Sequence, residues 1–488
     1  MKVYTQKNSM AVNAIFNIIY RVLNVIFPLI STTYVSHVLL PEGVGQVAYA
    51  QNIVSYFTML ASLGIPTYGI REIAKCREDQ EQSNRTFTEL FLINAIATCI
   101  CIVGYMALIF TQFKTNRHLY MVCGLLLMFN FINIDWLYQG KEEYVYVAIR
   151  SSLVKISALV FLFLFVRNQT DYINYAIINT LASVGNHVFN MIHARKLVKI
   201  TWKGLCLRKH LKPVGYMTVC VLAAELYCKI DITMLGKMCN KEAVGYYSNV
   251  QKVINMVITL TTAISSIFLP RISYYYKKNL GKYNEYISAG FGILVFLAVP
   301  ACAGIIFVSQ NLVYVLFGEA FLPAVSAMII LALLILVKSF GDLLCYQIII
   351  SSDNESRLIP SYLAAAVVNV VLNFFLIPVF HQAGAAVASL ASELVLNLSL
   401  YFAITRKIIS LKIQRKTVVS TLAGTGMMIA CVLLIGKLIE SQLVALILQV
   451  ITGIAGFMTV NYLMKNEILI ILLSKIKKCI SFRCRTRN

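Results

Sequence analysis

Apolar residues run along this chain in long blocks, each closed by a short polar or basic stretch. Fourteen blocks stand out, at 12–36, 44–64, 84–111, 118–138, 143–166, 171–195, 212–238, 242–270, 284–309, 321–350, 357–379, 383–405, 416–436 and 442–464. A helix rises about 1.5 Å per residue, so about 20 apolar residues cross the hydrocarbon core of a bilayer. Blocks of that length predict an all-α polytopic membrane protein with about 14 transmembrane helices. The first block carries a single charge, Arg21, roughly 14 Å into the run. Pro28 follows two turns later and is expected to bend the helix, because proline removes a backbone donor and crowds the preceding turn. Pro300, inside the ninth block, is the second hinge candidate.

The connections alternate in charge. One set carries Arg71, Lys75, Arg77 and Arg85, then Lys141, then seven basic residues between Arg195 and Lys212. The set continues with Arg271 to Lys282, Arg357 and Arg406 to Lys416. Lys2, Lys7 and the tail from Lys465 to Arg487 fall on the same side, and the opposite loops hold few cations, such as Lys114, Arg117, Arg167 and Lys437. Basic loops stay inside, so both termini are expected in the cytoplasm, in agreement with an even number of spans. The first block lacks a small-residue cleavage site and reads as a retained helix. The tail is expected to rest on anionic lipid.

Composition narrows the class further. The chain is 59% hydrophobic and 13% charged, with mean hydropathy +0.75, which excludes an ordinary soluble domain. The net charge of +22 lies in short loops between spans, so it reads as membrane orientation and no nucleic-acid partner is expected. Thirteen cysteines are scattered, several inside spans, without a CxxC pair, and read as small apolar residues. Six histidines show neither HExxH nor paired spacing, so no metal is assigned. No glycine-rich phosphate loop and no long connection are present, which leaves no room for a soluble catalytic domain and argues against direct ATP use.

The chain partly repeats. Glu42-Gly43-Val44-Gly45 through Gln51 follows the first block, and Glu242-Ala243-Val244-Gly245 through Gln251 follows the seventh, with Glu, Val, Gly and Gln recurring at an offset of 200. An even number of spans between copies makes the halves parallel. Parallel repeats are related by an axis along the membrane normal, with the substrate site between them. The expected organisation is a bundle of six helices at 1–200, a second at 201–410, an added helix pair at 411–465 and a basic tail at 466–488.

Charges at membrane depth are costly unless paired or hydrated. They are Arg21, Lys155, Glu225, Lys229, Asp231, Lys252, Lys338, Asp342 and Glu393. Glu225 with Lys229, and Lys338 with Asp342, stand four apart and can neutralise each other. Arg21, Lys155 and Lys252 have no such neighbour on their own helices. Arg150, two turns into its span, is expected to snorkel to the surface. Tyrosines and amides of the inner helices (the amides being Asn13, Asn17, Asn24, Gln51, Asn52, Gln251 and Asn255) suit either sugar hydroxyls or interhelical bonding.

Three stretches carry a family resemblance. Gly64-Ile65-Pro66-Thr67-Tyr68-Gly69-Ile70-Arg71-Glu72 resembles the end of the second helix in Wzx-type oligosaccharide flippases. These belong to the polysaccharide transporter family of the superfamily that also holds multidrug exporters and lipid II flippases. Asp135-Trp136-Leu137-Tyr138-Gln139-Gly140, with Arg150, is similar to the connection after the fourth helix, and Leu316-Phe317-Gly318-Glu319-Ala320-Phe321 to the stretch before the tenth. The resemblance covers most of residues 1–410; many members have twelve helices, so 416–464 departs from them. It implies a flippase, not an enzyme, that moves undecaprenyl-diphosphate-linked oligosaccharide of O-antigen, capsule or a related polymer across the bacterial cytoplasmic membrane by alternating access. Arg21, Lys155 and Lys252, with Lys229 and Lys338, are then expected to line a cationic cavity for the diphosphate. Asp231, Asp342 and Glu393 are the candidates for a coupling ion, H+ or Na+, with no other cofactor. Membrane lipids, a polysaccharide polymerase and chain-length proteins are the implied partners. The rivals are an ion-coupled multidrug exporter of the same architecture and a membrane-embedded polymerase or glycosyltransferase.

Overall fold

The computed structural model describes residues 10–113, 116–265, 269–276, 278–349, 358–403, 414–471 and 474, with side chains in the first helix described from Ile26 onward. Regular structure among them is helical throughout, and eight helices are long and apolar enough to cross a membrane. Inside hydrocarbon every backbone N–H and C=O needs a partner within the chain, which a helix supplies to a single segment. The chain packs as two compact units, Met1–Gly245 and Tyr246–Asn488.

The first unit holds α1 (Met10–Ser62), α2 (Ile65–Lys75), α3 (Gln80–Gln112), α4 (Arg117–Met128), α5 (Asp135–Gly140), α6 (Tyr144–Phe165), α7 (Tyr172–Ala194) and α8 (Arg208–Met238), and reaches the start of α9 (Lys241–Ser265). The first two expected spans meet within α1, where helical geometry breaks at Leu40 (φ 58°), directly before Pro41. Pro28 also lies inside α1, and Pro300 inside a single long helix of the second unit. The expected continuous span at 118–138 is corrected. It stops at Met128, makes a 3-10 turn at Asn130–Ile132 and resumes as α5. Buried Asn130 is the physical reason. Its side chain bonds Asn94 (3.2 Å) and Thr98 (3.4 Å) on α3 and accepts from Ser62 at the end of α1 (3.1 Å). These partners hold the chain in a turn that a continuous helix would pull away from them.

Two of the recognised motifs prove to be two sides of one interlock. Gly64, at φ 64°, ends the second span and Pro66 opens α2. Gly69 then faces Trp136 so closely that a β-carbon would stand 2.6 Å from the indole, and one at Gly140 would stand 2.8 Å from Ile73. Around that contact Ile65, Tyr68, Phe87, Leu90, Leu137 and Tyr138 form a buried core. Arg150, expected to snorkel, is instead buried and donates to Asp135 (3.2 Å), Ser151 (3.0 Å), the Asn186 carbonyl (3.3 Å) and Asn190. The acid that stops it lies in the Asp135-Trp136 motif: with a carboxylate and amides at hand, pairing in place replaces the reach to water.

The second unit comprises the rest of α9, α10 (Leu269–Tyr276), α11 (Leu280–Phe317), α12 (Val325–Asp342), α13 (Leu358–Ala403), α14 (Arg415–Leu438) and α15 (Gln442–Leu463). As in α1, two expected spans meet in α13, at His381 (φ 49°). Gly318 (φ 90°) ends α11 and turns the chain so that Phe317 and Phe321 are both buried. The added pair, α14 and α15, packs on α11 through Phe296, Met428, Val432 and Phe457. At the beginning of the tail the apolar residues divide, Ile470 and Ile471 being exposed. Ile468 and Leu469 join that core, and the Asn466 amide donates to Ser420 (2.7 Å) and Asn461 (2.8 Å). Residues 475–488 lie outside the described ones.

Gly69→Ala must move either α2 or the Trp136 ring and is expected to cost about 1–3 kcal/mol. Thermal unfolding of the solubilised protein checks this against Gly185→Ala, where a β-carbon meets nothing within 4 Å and stability should be unchanged or slightly higher.

A polar cavity in the first unit

At the helix ends remote from the basic loops, the first unit holds a cavity of about 840 Å³. Its walls follow from helical spacing. Tyr49, Ile53 and Tyr56 recur at intervals of four and three, on one face of α1. Thr233 and Lys237 stand four apart on α8, and Gln112, Phe113, Asn116 and Tyr120 come from the end of α3 and the start of α4. Glycine at 236 makes room for Tyr49, since a β-carbon there would overlap the ring.

A close backbone approach sets the rim. The carbonyl of Lys241 occupies the place a β-carbon on Gly45 would take, and the carbonyl of Pro41 does the same to Gly245. The two contacts interchange when 200 is added to or subtracted from each residue number, which is what a local twofold produces. Held there, Lys241 places its ammonium 3.2 Å from the centroid of the Tyr49 ring and donates to the Gly236 carbonyl at 3.2 Å. Burial pushes this ammonium down to about 8, while the ring face and the carbonyl favour its charged form. Phe113 stacks on Tyr120 at 4.1 Å, and Asn116 donates to Gln46 at 3.2 Å. Thr233 ties the floor, bonding Tyr56 at 2.9 Å and Asn52 at 2.8 Å. The lining contains two lysines and no carboxylate. Aromatic faces, amides and point positive charges together suit a ligand with hydroxylated rings and an anionic group. A second cavity, about 560 Å³ between α6 and α7, is lined by side chains such as Leu153, Phe161 and Phe189 and contains no ionisable group.

The expected site residues are distributed as follows. The side chain of Arg21 lies outside the described residues, as do those of Asn13, Asn17 and Asn24. Lys155 is half-buried on α6, within reach of the charge of Arg150, and Lys229 pairs with Glu225 at 3.3 Å, as their spacing predicts. Neither lines the 840 Å³ cavity. Asp231 is buried on α8 near Tyr56. In the second unit Lys252 approaches Asn249 at 3.4 Å. There the packing of α12 on α13 brings three expected residues together, since Asp342 has Lys338 and Glu393 as charged neighbours and Thr262 as a hydrogen-bond donor. Tyr49, Tyr56 and Tyr120 were expected only as members of the class of inner-helix tyrosines, and Lys237 and Lys241 were passed over. The four-residue recurrence of Thr233, Lys237 and Lys241 was the available signal.

The family model described as polysaccharide biosynthesis protein matches residues 10–276. A protein of Escherichia coli (strain K12) named as an O-antigen transporter is 23% identical over 414 residues, 83% of this chain and 99% of its own length. A protein of Haloferax volcanii named as a low-salt glycan biosynthesis flippase is 26% identical over 258 residues, 51% of this chain and 52% of its own. Among solved structures, a lipid II flippase in an inward closed conformation superposes with a TM-score of 0.76 at 13% identity, covering 94% of this chain and all of that one (100%). An inward-facing multidrug resistance transporter of the MATE family gives 0.63 at 13% identity, covering 79% of this chain and 95% of its own. With more than half its length matched by the family model, this multi-pass membrane chain belongs to the polysaccharide biosynthesis protein family.

Proposed function

We propose that the protein is a flippase that carries a lipid-linked oligosaccharide, on an undecaprenyl-diphosphate-type carrier, across the bacterial cytoplasmic membrane by alternating access. The observation that carries this reading is the 840 Å³ cavity, whose lining is aromatic and amide-rich, with two lysines and no carboxylate. Sugar rings and hydroxyls fit such walls, and a diphosphate fits ammonium groups. The relatives named as O-antigen transporter and glycan flippase support it. A multidrug exporter of cationic compounds is disfavoured because a cation entering this cavity would meet like charge. Both termini stand in the cytoplasm, as the basic loops require, which puts the cavity mouth on the outer side, where cargo leaves. Arg21 meets the diphosphate at an earlier station, with Lys155 and Lys252 as further cations. Asp342 and Glu393 of the second unit take the coupling ion, H+ or Na+; Asp231 of the first is a separate candidate for it. A polymerase and chain-length proteins receive the cargo.

Export of surface polysaccharide in a strain lacking its own flippase tests the cationic path: Arg21→Ala should abolish export and Arg21→Lys should keep part of it, whereas full export by the alanine variant would contradict the headgroup role. The cavity has its own readout. With burial pushing the Lys241 ammonium down to about 8, its charge is lost as pH rises through that region, so the affinity of the purified protein for a short-chain prenyl diphosphate should fall about tenfold or more between pH 7 and pH 9.5. Lys241→Arg should remove that pH dependence; an unchanged profile would exclude Lys241 from the site. Loss of response to an imposed ion gradient, with binding of the prenyl diphosphate intact, is the expected result for Asp342→Asn combined with Glu393→Gln.

A further inference from the structure

The segment between α7 and α8 is fastened to α3 along its length and still presents apolar side chains outward. Gln80 donates to the Leu197 carbonyl (2.8 Å), Asn84 accepts from the Lys199 amide (2.8 Å), Thr88 from the Thr201 amide (3.1 Å) and Glu89 from the Cys206 amide (2.7 Å). The register has a physical basis. Four residues of helix rise about 6 Å and two of extended chain about 6.6 Å, so side chains at 80, 84 and 88 meet peptide groups at 197, 199 and 201 in step. Gly204 (φ 67°) turns over the Arg85 guanidinium, and fully buried Glu89 gathers Arg85 (3.4 Å), Lys209 (2.7 Å) and His210 (2.9 Å).

This fixed strap carries Trp202 at 73% exposure and Ile200 at 47%, followed by Leu211 at 55%. Seven basic residues and no acidic one occupy positions 195–212. The strap lies along the first turns of α3, a membrane-crossing helix, and so at the level where that helix enters the bilayer. An indole is most stable at the membrane–water interface, and each lysine near an anionic surface strengthens association about fivefold.

We infer that residues 197–207 form a binding strap for acidic phospholipid, with Ile200 and Trp202 seated among the headgroups and Lys199 and Lys203 on their phosphates. The inference needs the chain to be membrane-embedded and does not depend on its cargo. The charged side chains within 195–212 are all basic, which fits lipid phosphate.

The chain has two tryptophans, and Trp136 is buried, so the difference between the wild-type protein and Trp202→Phe isolates the emission of Trp202. The full-length protein is placed in nanodiscs of phosphatidylcholine with or without phosphatidylglycerol. Trp202 should be shielded from acrylamide and quenched by phosphatidylglycerol brominated near the glycerol end of its chains. Its preference for brominated phosphatidylglycerol over brominated phosphatidylcholine should fall about fivefold in Lys199→Gln and again in Lys203→Gln, with unfolding temperatures unchanged. Free access of acrylamide in both lipids overturns the inference. So does shielding without preference for the acidic lipid, or shielding that appears only when a soluble protein is added.

Discussion

Two backbones meet at Gly45 and Gly245 at a separation that no side chain permits. Only glycine leaves a carbonyl room to sit where a β-carbon would be. That approach fixes the start of α9 against α1 just beyond its break at Leu40, and the cavity rim follows from it. Lys241 is held with its ammonium over Tyr49, and Tyr49 keeps its place because residue 236 has no side chain either. Its ring in turn meets the edge of Phe113, which stacks on Tyr120. Backbone geometry thus positions the charge that distinguishes this cavity from an apolar groove.

The charges of the first unit divide by partner. Arg150 is matched by Asp135, Lys229 by Glu225, and Arg85 and Lys209 by Glu89. Removing a buried partner such as Arg150 or Glu89 is strongly destabilising, so the pairs at Asp135 and Glu89 join separate segments of the unit, while Lys229 and Glu225 neutralise each other along α8. Lys241 has a ring face and a carbonyl instead, and Lys237 is exposed on the same wall. An incoming anion finds its charge complement there.

Much of the fold was legible because the bilayer dictates it: segment length, apolar blocks and basic loops all follow from one solvent. The repeat at Glu42 and Glu242 was legible too. That its two glycines pack against each other's segments was not, since a pattern match carries no distance. The interruption of the fourth span depends on Asn130, whose partners Asn94 and Ser62 lie 36 and 68 residues away. Arg150 was misread for a similar reason, because depth along its own helix says nothing about an acid on a neighbouring element. The cavity was missed where attention to mid-span charge passed over the rim lysines and left the tyrosines without positions. Tyr49 and Tyr56 look like ordinary interior aromatics until Gly236 and Thr233 are placed beside them.

Reconstituted transport bears most directly on the central claim that an acid-free, lysine-bearing cavity serves a phosphorylated glycolipid. In proteoliposomes containing a fluorescent oligosaccharide on a polyprenyl diphosphate, protein-dependent movement of the labelled lipid between leaflets is the predicted result, with no uptake of a lipophilic cationic dye. Dye transport with the labelled lipid left in its original leaflet would contradict it.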